Sequence, residues 1–271
     1  MEVKVAVESF YETYKNYLER YVCEGGAEGV LLEAYSYLTG QLGEHQIQTS
    51  NILDVHTRAL REIMGVRRDS DAIQWIYIDR ATEFLAQILV VIDTFLLQLK
   101  DRIERDPLTG LYNRLALYPD LNQMLKEAQE RESPLVVAML DLDNFKTVND
   151  EYGHHAGDEV LRAAAVIIKK SLRGGDKVFR YGGEEFLVVL PNTDLNRAVI
   201  ALERIRSQIA ANLTIPGTKS SITTSIGAAG YRGKGSISPN DLIMLADKAL
   251  YQAKKKGKNV VVCEGEVPPK N

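Results

Sequence analysis

The segment that most restricts how this chain can fold is the run Leu135-Val136-Val137-Ala138-Met139-Leu140, which leads into Asp141-Leu142-Asp143. A stretch this apolar, with no polar face, reads as a central β-strand buried on both sides. Side chains alternate along a strand, so Asp141 and Asp143 share one face and Leu142 takes the other. Two carboxylates at the end of a buried strand repel one another and lose hydration. That raises their pKa values and costs stability unless positive charge offsets them.

A second constraint lies downstream in Arg180-Tyr181-Gly182-Gly183-Glu184-Glu185-Phe186, preceded by Val178-Phe179 and followed by Leu187-Val188-Val189-Leu190. Two β-prone segments around a diglycine read as a hairpin whose tight turn uses φ > 0 backbone. Glu184 and Glu185 then sit just past the turn, on backbone open to a phosphate chain. Set opposite Asp141 and Asp143, they make a cluster of like charges that divalent cations would neutralise, with a polyphosphate completing the coordination.

Around these segments the chain divides in two. Arg105-Asp106-Pro107-Leu108-Thr109-Gly110-Leu111-Tyr112-Asn113-Arg114 marks the boundary, because Pro107 disfavours helix at Asp106 and Gly110 permits a turn, while Asp106 can bond locally and offer an anion to Arg114. The expected domains are 1–103 and 104–271. In the first, apolar residues at helical spacing predict four helices: Phe10, Tyr14, Tyr17, Leu18 and Tyr21 up to Gly25-Gly26; Leu31, Tyr35, Leu38 and Leu42 up to Gly43; Ile52, Val55, Ala59, Leu60 and Ile63 after a cap at Ser50 and up to Gly65; and a long fourth helix from Asp69 or Ser70. Short connections imply a bundle. In the fourth helix Phe84, Ile88, Val91, Phe95 and Leu99 read equally as a coiled-coil seam or as bundle core. His45 and His56 have no ligand-type residue at metal spacing on a shared face and read as structural.

Residues 1–103 carry an excess of acids and residues 104–271 are nearly balanced, so no basic stripe points to a nucleic-acid polymer. Cys23 and Cys263 are the only cysteines and do not indicate a disulfide framework, which fits a reducing cytoplasm. The passage from Phe84 to Leu99 is interrupted by Gln87, Asp93, Thr94 and Gln98 and reads as too short and too polar for membrane insertion. No secretion signal is evident at the start.

In the second half a helix is expected through Leu117, Leu121 and Leu125, then the buried strand, then a turn across 144–159 and a helix through Val160, Leu161, Ala164 and Ile168. Within that turn Asn149 offers a donor and an acceptor, and Asp158 an acceptor pair, the inventory for reading a guanine edge. A strand is expected over 220–229. Pro239 precedes a helix through Leu242, Leu245, Ala246, Ala249 and Leu250, and the basic Lys254-Lys255-Lys256-Gly257-Lys258-Asn259 suits its C-terminus.

With these motifs in order and at this spacing, residues 104–264 resemble the GGDEF family of diguanylate cyclases. The resemblance implies an α+β architecture: a helical bundle joined by a long helix to a palm-like α/β-sandwich catalytic domain with a mainly antiparallel sheet. It further implies condensation of two GTP into cyclic di-GMP with release of pyrophosphate, by two domains facing one another in a homodimer. Carried over to this chain, Asp141, Glu184 and the Leu142 carbonyl correspond to ligands of two Mg²⁺ per active site, with Mn²⁺ as a substitute. Lys146 corresponds to the residue that stabilises phosphate charge. Asn149 and Asp158 correspond to the guanine readers, His154 to a further nucleotide contact, and Lys254 and Lys258 to phosphate contacts. Position 258 is often Arg in the family, so a bidentate grip becomes a point charge here. Either Glu184 or Glu185 is the base for the 3′-hydroxyl, with Asp143 and Glu185 in supporting roles. Arg173, Asp176 and Arg204 fall at the family's product-inhibition site for cyclic di-GMP.

The motifs Leu31-Leu32-Glu33-Ala34-Tyr35 and Ile52-Leu53-Asp54-Val55-His56 resemble the N-terminal domain of RsbU-type phosphatases, which implies a dimerising module that receives a regulatory protein partner. Two rival readings fit fewer of these residues: a non-catalytic effector that binds GTP or cyclic di-GMP, and an adaptor built on the helices alone.

Overall fold

A computed structural model describes residues 2–24, 26–43, 49–66 and 71–265, so His45 and the expected helix start at Asp69 or Ser70 lie outside the described residues. By internal contacts the chain forms two units, Met1–Arg102 and Ile103–Asn271.

The first unit contains α1 (Glu2–Cys23), α2 (Glu28–Gly43), α3 (Thr49–Val66) and most of α4 (Asp71–Glu104). Ser50 is the second residue of α3 rather than the residue before it, a shift within the ordinary fraying of helix ends. All four helices contribute to one core: Phe10, Tyr14, Leu18 and Tyr21; Leu31 and Leu38; Ile52, Val55, Ala59 and Ile63; Ala81, Phe84, Ile88 and Ile92. These recur at three- and four-residue steps because one stripe of each helix faces inward. At the centre the Tyr14 hydroxyl meets His56 Nδ1 at 2.9 Å. Burial pulls the His56 pKa down to about 4, so the ring is neutral and structural.

Phe84 and Ile88 of α4 are therefore bundle core. A stripe one residue on, Leu85, Leu89, Ile92, Leu96 and Leu99, keeps strict steps of four and three and shares Ile92 with the bundle core. Leu89 and Leu96 within it are 45% and 43% exposed. The span Ile76–Glu104 also corrects the sequence reading of this segment. With a mean hydropathy of 1.6 in its most apolar window the helix is, by length and composition alone, long and apolar enough to cross a membrane.

The second unit is a five-stranded sheet in the order β2-β3-β1-β4-β5, formed by β1 (Leu135–Leu142), β2 (Lys177–Gly182), β3 (Glu185–Pro191), β4 (Thr224–Tyr231) and β5 (Val261–Glu264). Neighbours pair antiparallel except β4 with β5. Alternation along β1 feeds two cores. Val136, Ala138, Leu140 and Leu142 pack with α6 (Phe145–Lys170) and α7 (Leu195–Asn212), whereas Leu135, Val137 and Met139 pack with α5 (Arg114–Glu130) and α8 (Pro239–Lys255). Asp141 and Asp143 continue the odd-numbered set, on the α8 side of the sheet.

Three sequence expectations shift. The stretch 144–159 is mostly helix, since α6 begins at Phe145 and only kinks at Gly153, whose φ is 80°. The strand expected over 220–229 is β4, which runs Thr224–Tyr231, while Ser221 makes an isolated bridge to Thr214. The helix α7, capped by Asp194, was absent from the sequence reading although Ala198, Leu202, Ile205 and Ile209 all face the core at helical spacing.

The α8 helix lies directly on β4 because Gly227 has no side chain. A Cβ there would come within 1.9 Å of the Leu250 amide nitrogen and 2.4 Å of the Ala246 carbonyl oxygen. Both are backbone atoms that no rotamer change can move. Gly227→Ala should cost on the order of 2–3 kcal/mol by overpacking, visible as a lower midpoint in thermal denaturation, and an unchanged midpoint would contradict this packing.

Candidate active site

The hairpin between β2 and β3 turns on Gly183, whose φ of 51° is left-handed, while Gly182 still pairs with Glu185 beside a register shift. Its orientation is fixed from the domain boundary. Arg180 Nη1 lies 3.0 and 2.9 Å from the two oxygens of Asp106, and Arg180 Nε and Nη2 donate to the Gly183 carbonyl at 3.1 and 2.9 Å. Asp106 also accepts from the Thr109 amide at 2.8 Å and from the Thr109 hydroxyl at 2.7 Å. The expected partner of Asp106, Arg114, is elsewhere, with its guanidinium 4.6 Å from the centre of the Tyr181 ring. Arg180 reaches both the turn and Asp106 from one strand position, which Arg114, at the start of α5, does not. Asn113 caps α5 by accepting from the Leu115 and Ala116 amides.

The β1 end meets this hairpin as the alternation requires. Asp141 pairs with Glu185 across the β1–β3 ladder, and the Leu142 amide donates to the Glu184 carbonyl at 3.4 Å. On the other side α8 delivers Lys254, whose Nζ lies 2.5 Å from Asp141 Oδ1 and 2.9 Å from Asp143 Oδ1. Asp143 is 4% exposed and accepts also from the Thr223 hydroxyl at 2.6 Å, the Ser225 hydroxyl at 2.7 Å and the Asn259 amide at 3.0 Å. Four donors occupy the acceptor sites of this carboxylate, so Asp143 orders the site.

The protonation equilibria follow from these contacts. Burial alone would raise the Asp143 carboxyl, but Thr223, Ser225 and Lys254 together hold it below the usual carboxylate range. Asp141 goes the other way: its burial, with the neighbouring Glu184 and Asp143 charges, outweighs Lys254 and raises it. Glu185 is raised by burial and by Asp141, Asp247 and Glu184, against an opposing contribution from Arg114. Lys254 is raised, its two carboxylate partners overcoming desolvation.

The other sequence-predicted residues occupy α6 and the loop after α8. Lys146 is exposed in the first turn of α6. Asn149 lies against Gly157, where a Cβ would meet Asn149 Oδ1 at 2.0 Å, and Asp158 is the next residue. A glycine at 157 is thus what lets the Asn149 side chain lie against the helix across the kink. His154 is exposed beyond the kink. Lys258 Nζ rests on Asn144 Oδ1 at 2.5 Å. Lys254, expected at phosphate, sits on the strand carboxylates.

Arg173 and Arg204 line one cavity of about 650 Å³ between α6 and α7. Arg173 closes its own turn through Asp176, with Nε 3.0 Å from Oδ1, and donates to the Pro191 carbonyl and the Thr193 hydroxyl. Arg204 donates to the Ser171 carbonyl at 2.6 Å. Sequence reasoning missed Thr223, Ser225 and Asn259 as partners of Asp143. The β-prone 220–229 segment carries alternating hydroxyls, which was the available signal.

Among the described residues no three His, Cys, Asp or Glu side chains are grouped to cage a metal. Asp141, Glu184 and the Leu142 carbonyl are nevertheless hard oxygen donors gathered at one strand end, a set that suits a divalent ion completed by ligand oxygens.

Asp106 should show a pH signature. Burial acts to raise it, but the two Thr109 bonds and Arg180 prevail and lower it. Its ionised form therefore stabilises the fold above about pH 4 and that contribution is lost as pH falls through the lowered value. Asp106→Asn should cost about 2 kcal/mol near pH 7, with the deficit from wild type shrinking toward pH 2 in parallel thermal melts. A deficit that is constant with pH would contradict the pairing.

The description "Diguanylate cyclase, GGDEF domain" matches residues 103–260. The chain is 43% identical over 155 residues to the diguanylate cyclase DgcP of Pseudomonas aeruginosa, covering 57% of this chain and 23% of that protein. It spans less than half the length of the curated relatives it matches. Among solved structures it is similar to diguanylate cyclase SiaD from Pseudomonas aeruginosa in complex with its activator SiaC, at 30% identity and a TM-score of 0.61, covering 95% of this chain and 99% of that one. It is also similar to the coiled coil and GGDEF domain of DgcB from Caulobacter crescentus in complex with c-di-GMP, at 29% identity and a TM-score of 0.61, over 69% of this chain and 98% of that one. This chain belongs to the GGDEF family, with Gly182-Gly183-Glu184-Glu185-Phe186 at the hairpin that faces the acidic end of β1.

Proposed function

We propose that this protein is a diguanylate cyclase that joins two GTP into cyclic di-GMP and releases two pyrophosphates. The observation that carries this reading is the meeting of Asp141, Glu184 and Glu185 at the end of one buried strand, with Lys254 as the countercharge. In each of two steps the 3′-hydroxyl oxygen of one GTP attacks the α-phosphorus of the other and the bond to pyrophosphate breaks. Asp141, Glu184 and the Leu142 carbonyl would hold Mg²⁺, two ions per site, with Mn²⁺ as a substitute. When bound, such ions supply Lewis-acid stabilisation of phosphate charge. Glu185, whose carboxyl is raised, suits acceptance of the hydroxyl proton. Lys146, Lys254 and Lys258 neutralise phosphate charge, Asn149 and Asp158 read guanine, and His154 borders the nucleotide.

Each catalytic domain, 104–271, holds one GTP, so catalysis needs two chains and positioning supplies much of the acceleration. The helical domain, 1–103, is the regulatory and dimerising module, and the half-exposed Leu89 and Leu96 stripe of α4 is where a second copy would pair. Because SiaD is solved with an activator protein, a protein partner at the helices is the reading for regulation here too. The catalytic domain faces the cytoplasm, where GTP is available. Arg173 and Arg204 at the α6–α7 cavity, with Asp176 paired to Arg173, form the product-inhibition site for cyclic di-GMP.

Two measurements test this. With GTP and Mg²⁺ the full chain should yield cyclic di-GMP, and Asp141→Asn or Glu184→Gln should each lower the rate by about 100-fold or more. Tight GTP binding without turnover in the wild type would instead mark a non-catalytic effector. In a dilution series, Leu89→Glu with Leu96→Glu should lose specific activity as enzyme concentration falls. In the same assay, added product should slow the wild type and leave Arg173→Ala unaffected. Equal curves for all three proteins would remove both the pairing and the inhibition assignments.

A further inference from the structure

After α8 the chain returns to the sheet through Lys256-Gly257-Lys258-Asn259, and three successive residues there are left-handed: Gly257 at φ 108°, Lys258 at 66° and Asn259 at 48°. Glycine takes this conformation freely, but Lys and Asn carry a Cβ that opposes it. Two such residues in succession persist only when the surroundings fasten them.

The fastening comes from both faces of the sheet. From the α8 side, the Lys258 amide donates to the Ala253 carbonyl at 3.2 Å. From the β1 end, Asp143 Oδ2 accepts the Asn259 amide at 3.0 Å. From α7, on the opposite face, Arg206 Nη1 donates to Asn259 Oδ1 at 2.7 Å, and Arg206 Nε is itself held by Glu203 Oε2 at 2.7 Å. Asn259 is thus gripped by its backbone from the site and by its side chain from behind the sheet. The residue before it, Lys258, is the one whose ammonium reaches Asn144 beside the start of α6.

We propose that Arg206 is a positioning residue for GTP binding: by holding Asn259 in its left-handed conformation it fixes the direction of Lys258 toward the substrate phosphates. This rests on the cyclase reading above for the role of Lys258, while the clamp itself is geometric. Arg206 is not within reach of the reacting atoms and acts only through the loop. A loop released from α7 relaxes toward ordinary backbone angles and points the Lys258 ammonium elsewhere, which weakens ground-state binding of the nucleotide and leaves the chemical step largely intact.

The test is a double-mutant cycle in the full chain. Arg206→Ala should raise KM for GTP about tenfold with kcat within about threefold, the loss expected when a charge-assisted hydrogen bond is removed. Arg206→Lys should recover part of the loss. Asn259→Gly keeps the left-handed backbone accessible but removes the acceptor, and should raise KM to a similar degree. The double variant should be no worse than the more affected single one. The Arg206 side chain is 22% exposed, so a lower thermal midpoint is expected for Arg206→Ala, and a cooperative melt above the assay temperature establishes that each variant is folded when KM is measured. An unchanged KM for Arg206→Ala in an active enzyme, or additive effects in the double variant, would overturn the proposal. If the wild type makes no cyclic di-GMP, the cyclase reading fails on its own, and GTP titration by calorimetry then decides the clamp: an equal Kd for wild type and Arg206→Ala overturns it.

Discussion

The ammonium of Lys254 between Asp141 and Asp143 is the contact on which the rest of the second unit depends. A buried strand that ends in two acids is unstable by itself, since each carboxylate loses hydration and repels the other. Lys254 resolves this only because α8 can lie close to β4, and that closeness exists because residue 227 has no side chain. Packing and electrostatics are therefore one problem here: the glycine sets the helix height, the helix height sets the lysine, and the lysine makes the acids tolerable. The two acids then separate in role. Asp143 is consumed by four donors and becomes part of the scaffold, whereas Asp141 retains oxygen capacity toward the hairpin.

The hairpin is held with comparable rigidity from the opposite direction. Arg180 spans the Asp106 carboxylate and the Gly183 carbonyl, so the segment at the domain boundary dictates the pose of the Glu184 turn. Asp106 and Arg180 are only 15% and 16% exposed, where a paired charge cannot be exchanged for solvent at little cost. Asp106 and Arg180 are in this way mechanical parts of the site.

The helical unit follows different rules. Its core is aromatic and includes the Tyr14–His56 pair, whose imidazole burial keeps neutral at ordinary pH. What distinguishes it is α4, which buries Ala81, Phe84 and Ile88 and leaves Leu89 and Leu96 half exposed along a second apolar stripe. The two stripes meet at Ile92, which is buried with the first, so Leu89 and Leu96 are the members of the second that stay half exposed.

The sequence by itself determined the periodicities and the motifs. The unbroken run 135–140 required a buried strand, its continuation required two acids on one face, and the helical stripes of residues 10–63 required a bundle. Those inferences rest on local geometry, which repeats every two or 3.6 residues whatever the rest of the chain does. Partner identity was decided only in three dimensions. Sequence proximity favoured Arg114 for Asp106, yet the partner is Arg180, because the sheet brings together residues that are 74 apart in the chain. The contact of Lys254 with Asp141 and Asp143 exists only once α8 is laid on β4, and that of Asn259 with Arg206 only once α7 lies behind it. Charge pairing and hydrogen bonding act over a few ångströms, so they are fixed by which elements pack side by side, and that information lies in the tertiary fold.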